Sequence, residues 1–422
     1  MAPPQERCMP SPSRPCAPRP RASFARVVAA CRRWLLPAAA AAACAALAAG
    51  CATAPRPKRA APAAPPAPAP AASAPASAPA AQPKPLVIAH RGASALRPEH
   101  TLAAYAKAIE DGADAIEPDL VMTRDGVLVA RHENDITGTT NVAELPQFAE
   151  RKRTKVIDGE RLTGWFTEDF TLAELKTLRA RERIPRLRPA NARLNDQFEV
   201  PTFDEIVRLA EQAALRTGKP VGIYAELKHP SYFRGIGLPL EDKLAAAVRA
   251  QPYLRNAPVF IQCFESGSLR ALRRTLGNGL PNVKLVQLIG NPRKGPADWK
   301  LAGDGRTFGD MLSTTGLREV AAYADGIGPE KSSVVPRDAQ GALGAPTAVV
   351  QQAHAAGLFV HPYTFRPENS FLPKALQSGG DEATRSPAGM EREVQAFVAA
   401  GIDGFFTDDP ALGRRAVDTP AR

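Results

Sequence analysis

The sequence predicts an α/β fold, a (β/α)8 TIM barrel with an accessory hairpin strand and a long insertion after it. Three observations carry that expectation. Short apolar runs recur between residues 86 and 407, separated by stretches of helical periodicity, which is the pattern of a parallel sheet covered by helices. Nine such runs exist, and Asp125-Gly126 between two of them signals a hairpin, leaving eight for the barrel. Several runs end in charged residues, as expected where parallel strands open on one functional face.

The chain has 422 residues and a net charge of +11. Eleven of its 54 Lys and Arg, but only Glu6 among its 43 acids, lie in residues 1–85, so the rest of the chain is almost balanced. The basic excess belongs to the N-terminal region and is no argument for a nucleic-acid partner. Arg32 and Arg33 precede an apolar run from Leu35 to Ala49 that is short for a bilayer span, and Ala48-Ala49-Gly50-Cys51 follows. Residues 1–51 therefore read as a signal peptide with a lipobox-like end, although Leu47 stands one place early. Cys51 is the expected lipid-anchor site, in a protein exported to the periplasm and held at the outer membrane. Cleavage after Ala52-Thr53-Ala54 is the alternative and releases a soluble protein. Residues 52–85, almost entirely Ala, Pro and Ser, cannot bury a core and read as a disordered linker. Four of the six cysteines precede Cys51, leaving no disulfide framework, and Cys263 sits on an apolar run as a buried small residue.

The domain proper is expected over 86–422. Its strand candidates are 86–90, 115–122, 127–132, 221–227, 258–264, 284–289, 324–328, 358–363 and 404–407, with helix patterns at 101–111, 203–216 and 391–400 between some of them. No repeat of a solenoid is present. The 127–132 strand folds back on 115–122, and a turn centred between Asp125 and Gly126 places His132 opposite Asp119 or close to Glu117. Glu117 and Asp119 are two apart on one strand and share a face, as do Glu226 and Lys228 at the end of 221–227. His90 and Arg91 end the first strand. All these residues are predicted at the barrel mouth, which explains why an apolar run such as Leu-Val-Ile-Ala should lead into two cationic side chains.

Their chemistry narrows the function. Three carboxylates suit a hard divalent cation, two histidines suit proton transfer near neutral pH, and Arg91 and Lys228 suit a phosphate. Together they point to phosphodiester cleavage. No His-Glu-x-x-His occurs, so a zinc protease is disfavoured. Glu99-His100-Thr101 opens a helix, with Thr101 as a candidate cap. Asp408-Asp409-Pro410 reads as a cap or turn rather than a metal site, Thr171 and Glu174 as a capping box, and His229, His354 and His361 as structural. The connection 134–200 is either a lid or a packed subdomain.

The stretch HRGASALRPEHTLAAYAKAIEDGADAIEPDLVMTRDGVLVARHEND resembles the signature of glycerophosphodiester phosphodiesterases, and the resemblance continues through YAELKHP, IQCFES, HPYTFRPEN and GIDGFFTDDP. The 134–200 connection is similar to that of the bacterial secreted branch. The resemblance implies a TIM barrel that hydrolyses glycerophosphodiesters, such as glycerophosphocholine or glycerophosphoethanolamine, to an alcohol and sn-glycerol 3-phosphate. It implies a divalent cation, Ca²⁺ ahead of Mg²⁺, on Glu117, Asp119 and Glu226. By the same resemblance His90 and His132 are catalytic and Arg91 binds phosphate, while Lys228 matches the lysine of the family's Glu-x-Lys motif. Phe365 and Arg366, just past a strand end, are expected to touch substrate. The family's usual His-Asp is His132-Glu133 here. Two other functions fit the same residues: a phospholipase of related fold acting on intact lipid, marked by an exposed apolar rim, and a non-catalytic lipoprotein that binds glycerophosphodiesters.

Overall fold

The computed structural model describes residues 84–277 and 279–419. The signal peptide, Cys51 and nearly all of the 52–85 linker lie outside the described residues. Eight parallel strand positions form the barrel. β1 (Leu86–His90) pairs with β2 (Ala115–Glu117), followed by β3 (Asp119–Met122) and the accessory β4 (Leu128–Ala130). The insertion carries β5 (Arg153–Ile157) and β6 (Glu160–Gly164) as a separate antiparallel pair. The barrel continues through β7 (Gly222–Leu227), β8 (Val259–Cys263), β9 (Val283–Ile289), β10 (Gly326–Pro329), β11 (Phe359–Val360) and β12 (Gly404–Thr407). Spatial order is β11-β10-β9-β8-β7-β2-β1-β12. Backbone bonds from Asp403 N–H to Val360 O at 3.0 Å and from Phe365 N–H to Phe406 O at 2.8 Å bring β12 back to the β11 side.

The predicted 115–122 strand is broken at Pro118, which has no N–H for the ladder. Upstream, β2 continues the barrel beside β1; downstream, β3 pairs with both β7 and β4. Ile88, Ala115, Tyr224, Val286 and Phe406 fill the barrel interior, one from each of five strands. The larger apolar layer lies between strands and helices. α1 (Leu102–Glu110) starts at Thr101, whose hydroxyl accepts from Ala104 N–H at 3.1 Å, so the predicted cap is observed. α2 (Phe203–Thr217) starts with a Thr202/Glu205 capping box and buries Phe203, Ile206, Val207, Ala210 and Ala213 on one face. α3 (Leu240–Ala250), α4 (Ser266–Leu276), α5 (Thr314–Ala321), α6 (Val349–Ala355), α7 (Pro387–Ala399) and α8 (Pro410–Asp418) complete the outer layer.

The insertion is a packed subdomain. Phe166 and Phe170 are fully buried, Trp165 nearly so, and Trp165 Nε1–H donates to Phe148 O at 2.6 Å. The Thr171/Glu174 capping box is present, and Cys263 is a buried free thiol. No helix among the described residues is long and apolar enough to cross a membrane.

Candidate active site

Strand ends place the site. At the end of β1, Arg91 and Gly92 adopt left-handed backbone, with φ of 61° and 86°, and turn the chain sharply toward α1. A Cβ on Gly92 would lie 2.7 Å from the Ala104 carbonyl carbon, so only glycine lets α1 approach this closely. His90, Arg91, Glu117, His132, Glu226 and Lys228 line one cavity of about 410 Å³ at the barrel mouth. Asp119 is fully buried beside it. The structure thus brings together every predicted site residue except Phe365.

Phe365 is a correction. Thr364 and Arg366 line the cavity, whereas Phe365 between them points away, as alternation along an extended segment requires. It is fully buried, edge-on to Phe397 of α7 at 4.9 Å and to Phe405 at 5.4 Å. Its place is the core, not the substrate surface.

The hairpin register also differs by one residue. Leu120 faces Ala130 and Met122 faces Leu128, so Arg131, not His132, stands opposite Asp119. The turn holds three residues, Arg124, Asp125 and Gly126, with Gly126 at φ 77°. A three-residue loop shifts the pairing by one from that of a two-residue turn. His132 lies just past the strand, free to lean into the cavity.

Glu117, Asp119 and Glu226 each offer an oxygen, and these atoms lie within 4.8 Å of one another. Burial and the neighbouring Asp119 and Glu226 carboxylates push Glu117 well above the usual carboxylate range. Burial likewise raises Glu226. Burial opposes ionisation of Asp119 too, but Lys228 and His100 hold it well below its ordinary value. Asp119 Oδ1 is buried with no hydrogen-bond partner among the described residues. Such a group of oxygens fits a hard divalent cation, which would satisfy the orphaned oxygen and allow all three acids to ionise together.

Other contacts hold these oxygens in place. Arg91 N–H donates to Glu117 Oε2 at 3.0 Å, and Gln262 Nε2 donates to Glu117 Oε1 at 2.6 Å. His100 Nε2 lies 2.9 Å from Asp119 Oδ2 and Lys228 Nζ donates to Glu226 Oε1 at 2.7 Å. Glu99 accepts from Arg91 Nη1 at 3.0 Å and is part of the same support.

Each histidine has its own carboxylate. His90 Nδ1 is 2.6 Å from Asp408 Oδ1, and burial followed by the Arg91 charge lowers His90 to about 4. Asp408 lies well below the usual range despite burial, because Arg366 and Arg188 face it. An ionised Asp408 accepts from Nδ1–H and leaves Nε2 as a base. His132 Nδ1 is 2.5 Å from Glu133 Oε1, and burial followed by Arg91 and Lys228 lowers its pKa. Asp408 is a residue that sequence reasoning missed: the Asp-Asp-Pro stretch does cap α8, but through Asp409, whose Oδ1 accepts from Leu412 N–H at 3.1 Å. Arg183, Arg188 and Gln262 carried no local signal.

The chain matches the model of the Glycerophosphoryl diester phosphodiesterase family over residues 90–412. It is 35% identical over 339 residues to the glycerophosphodiester phosphodiesterase GDPD6 of Arabidopsis thaliana, covering 77% of this chain and 84% of that protein. It is 30% identical over 351 residues to the glycerophosphodiester phosphodiesterase of Haemophilus influenzae, covering 78% and 88%. A solved family structure from Silicibacter pomeroyi DSS-3 superposes with a TM-score of 0.56 at 22% identity, covering 80% of this chain and 94% of that one. A phosphodiesterase of Oleispira antarctica, solved with its product sn-glycerol-3-phosphate, gives 0.50 at 20% identity, covering 80% and 98%. These likenesses and the site at the mouth of a parallel barrel agree, and the chain belongs to the glycerophosphoryl diester phosphodiesterase family.

Proposed function

We propose that this protein hydrolyses glycerophosphodiesters, among them glycerophosphocholine and glycerophosphoethanolamine, to an alcohol and sn-glycerol 3-phosphate. The observation that carries the reading is the single cavity on which two carboxylate-held histidines, two cations and a cluster of three acids converge. Glu117, Asp119 and Glu226 would hold a divalent cation, Ca²⁺ ahead of Mg²⁺. That cation supplies charge stabilisation to the phosphoryl oxygens as the transition state forms.

Arg91 and Lys228 bind the phosphate. Arg91 Nη1 is held by Glu99, and its Nε, 3.4 Å from Asp119, makes no hydrogen bond among the described residues. His90, with Nδ1–H given to Asp408, acts as general base through Nε2. His132 acts as general acid to the leaving alkoxide; a bound diester anion works against the Arg91 and Lys228 charges that lower its pKa.

The leader supports a finer reading. The protein belongs to the secreted branch of bacterial members, with residues 1–51 a signal peptide, 52–85 a tether and 86–422 the catalytic domain. It works in the periplasm, anchored through a lipid on Cys51. A Cys51→Ser variant that remains with the membranes would overturn the anchor.

The test of the activity is release of sn-glycerol 3-phosphate from glycerophosphocholine by the purified protein with Ca²⁺, Mg²⁺ or chelator, beside His132→Ala. Cation-dependent turnover that the variant loses is expected. Diester binding without turnover would replace the enzyme by a binding protein.

A further inference from the structure

The two histidines of the site are 42 residues apart in sequence and sit on different strand ends, yet the acids behind them are gripped by one short stretch of the insertion. Arg183 donates from Nη1 to Glu133 Oε1 at 3.0 Å and from Nη2 to Glu133 Oε2 at 2.7 Å, and Glu133 is the carboxylate on His132. Arg188 donates from Nη2 to Asp408 Oδ2 at 2.5 Å, and Asp408 is the carboxylate on His90. We propose that Arg183 and Arg188 are positioning residues, each orienting one active-site histidine through its carboxylate, so that the insertion is a brace for the catalytic pair. The proposal rests on the phosphodiesterase reading above.

Geometry favours a rigid brace. Arg183 also donates from Nε to Glu99 Oε1 at 2.9 Å, and Glu99 holds Arg91. One guanidinium therefore ties His132 to the phosphate-binding arginine. Arg188 spends Nε on Glu368 Oε1 at 2.7 Å and Nη1 on Ser94 O at 2.8 Å. Ser94 Oγ in turn donates to His90 O at 2.8 Å, so Arg188 reaches His90 from two directions. Between the arginines the chain turns on itself, with Leu187 N–H and Arg188 N–H both donating to Ile184 O. Asn191 Nδ2 fastens the far side to Ser94 O at 3.1 Å. A lysine cannot hold two or three acceptors in the fixed planes of a guanidinium. Glu133 suits this arrangement, because its two oxygens serve Arg183 while Oε1 also meets His132. Arg366 Nε lies 2.8 Å from Asp408 Oδ2, so removing Arg188 does not leave that acid unpaired. It does strip the buried Glu368 of its ion-pair partner, a cost to stability that Arg188→Lys lessens by keeping the charge.

The test is steady-state hydrolysis of glycerophosphocholine by the full protein and its variants. Arg188→Met is expected to lower kcat about ten- to a hundredfold, the usual effect of removing a partner one step behind an active group, with KM within about twofold. Arg183→Met is expected to lower kcat similarly and also to raise KM, because Glu99 loses one of its two arginines and draws Arg91 from the phosphate. In an Asp408→Ala background, Arg188→Met should cost much less than in the wild type, only what the Ser94 contact carries, because its route through Asp408 is gone. Arg181→Met is the control: among the described residues Arg181 pairs only with Glu144 and Asp196, and its loss should leave both constants unchanged. The Lys variants keep the charge and lose the fork; they should recover part of kcat, and they carry the test if the Met variants do not fold. Wild-type kcat in the Arg188 and Arg183 variants, or an undiminished Arg188→Met effect without Asp408, would overturn the brace. A wild-type protein that releases no sn-glycerol 3-phosphate would overturn the underlying reading instead.

Discussion

Asp408 Oδ1 lies 2.6 Å from His90 Nδ1, although 318 positions separate them along the chain. On its other oxygen Asp408 accepts from Arg188 at 2.5 Å and Arg366 at 2.8 Å. The carboxylate is therefore fixed on both sides, and the tautomer of His90 with it.

Asp408→Asn should damage catalysis more than folding. The two arginines will orient the amide with its oxygen toward them and its NH₂ toward His90. Nδ1 then becomes the acceptor, the ring proton moves to Nε2, and the base is lost. A fall in kcat of about 10³–10⁴ with little change in KM is expected, by analogy with the aspartate of a serine-protease triad. Equal effects on kcat and on melting temperature in Asp408→Ala and Asp408→Asn would speak against a tautomer effect.

Cation binding should be visible without turnover. Three acids crowded in a buried site repel one another, and a cation that binds only the folded protein stabilises it. Adding Ca²⁺ to chelator-treated protein at a hundred times its Kd should contribute about 2.7 kcal/mol and raise the melting temperature. Glu226→Gln should remove most of that rise. A melting temperature indifferent to Ca²⁺, Mg²⁺ and Mn²⁺ would count against the three acids as ligands.

Acid should unfold the protein partly through His361. The ring is buried, its Nδ1 is 3.0 Å from Tyr224 OH, and burial alone lowers it to about 3. Between the unfolded value near 6.5 and the folded one, the unfolded chain binds the extra proton. Stability contributed by the neutral ring is thus present above pH 6.5 and lost as pH falls. At pH 5 the loss is about 2 kcal/mol for this group. Urea midpoints at pH 7.5 and pH 5 should show that drop, and His361→Phe should shrink it.

Phe365→Ala should cost stability and spare substrate binding. A fully buried phenylalanine between two aromatic partners is worth about 3–5 kcal/mol against alanine. The melting temperature should fall while KM for glycerophosphocholine stays within about twofold. A KM raised tenfold in a folded variant would return Phe365 to the substrate surface.

Much of this protein was legible in its sequence because its signals are local and periodic. The apolar runs placed all eight barrel positions, since a parallel strand buried on both faces needs a continuous apolar segment. Period-two spacing paired Glu117 with Asp119 and Glu226 with Lys228, and the rule that such barrels open at strand ends gathered them around His90 and Arg91. Thr101 and Thr171 read as caps because capping is settled within four residues. Tertiary structure decided what depends on the other side of the chain. Asp408 and Asp409 look alike in sequence; only the return of β12 beside β1 turns one toward His90 while the other caps α8. The His132 register turned on a third loop residue. Phe365 and Arg366 are neighbours, and which faces the cavity follows from how the segment after β11 pairs with β12. Arg183 and Arg188 lie in a stretch without periodicity, and nothing local foretells that they reach Glu133, Glu99 and Asp408. The sequence alone determined the barrel and the residues at its mouth, because strand period and composition act over a few residues. The partners that hold each side chain were decided by the closed barrel and the packed insertion, because ion pairs between distant segments depend on where the whole chain places their charges.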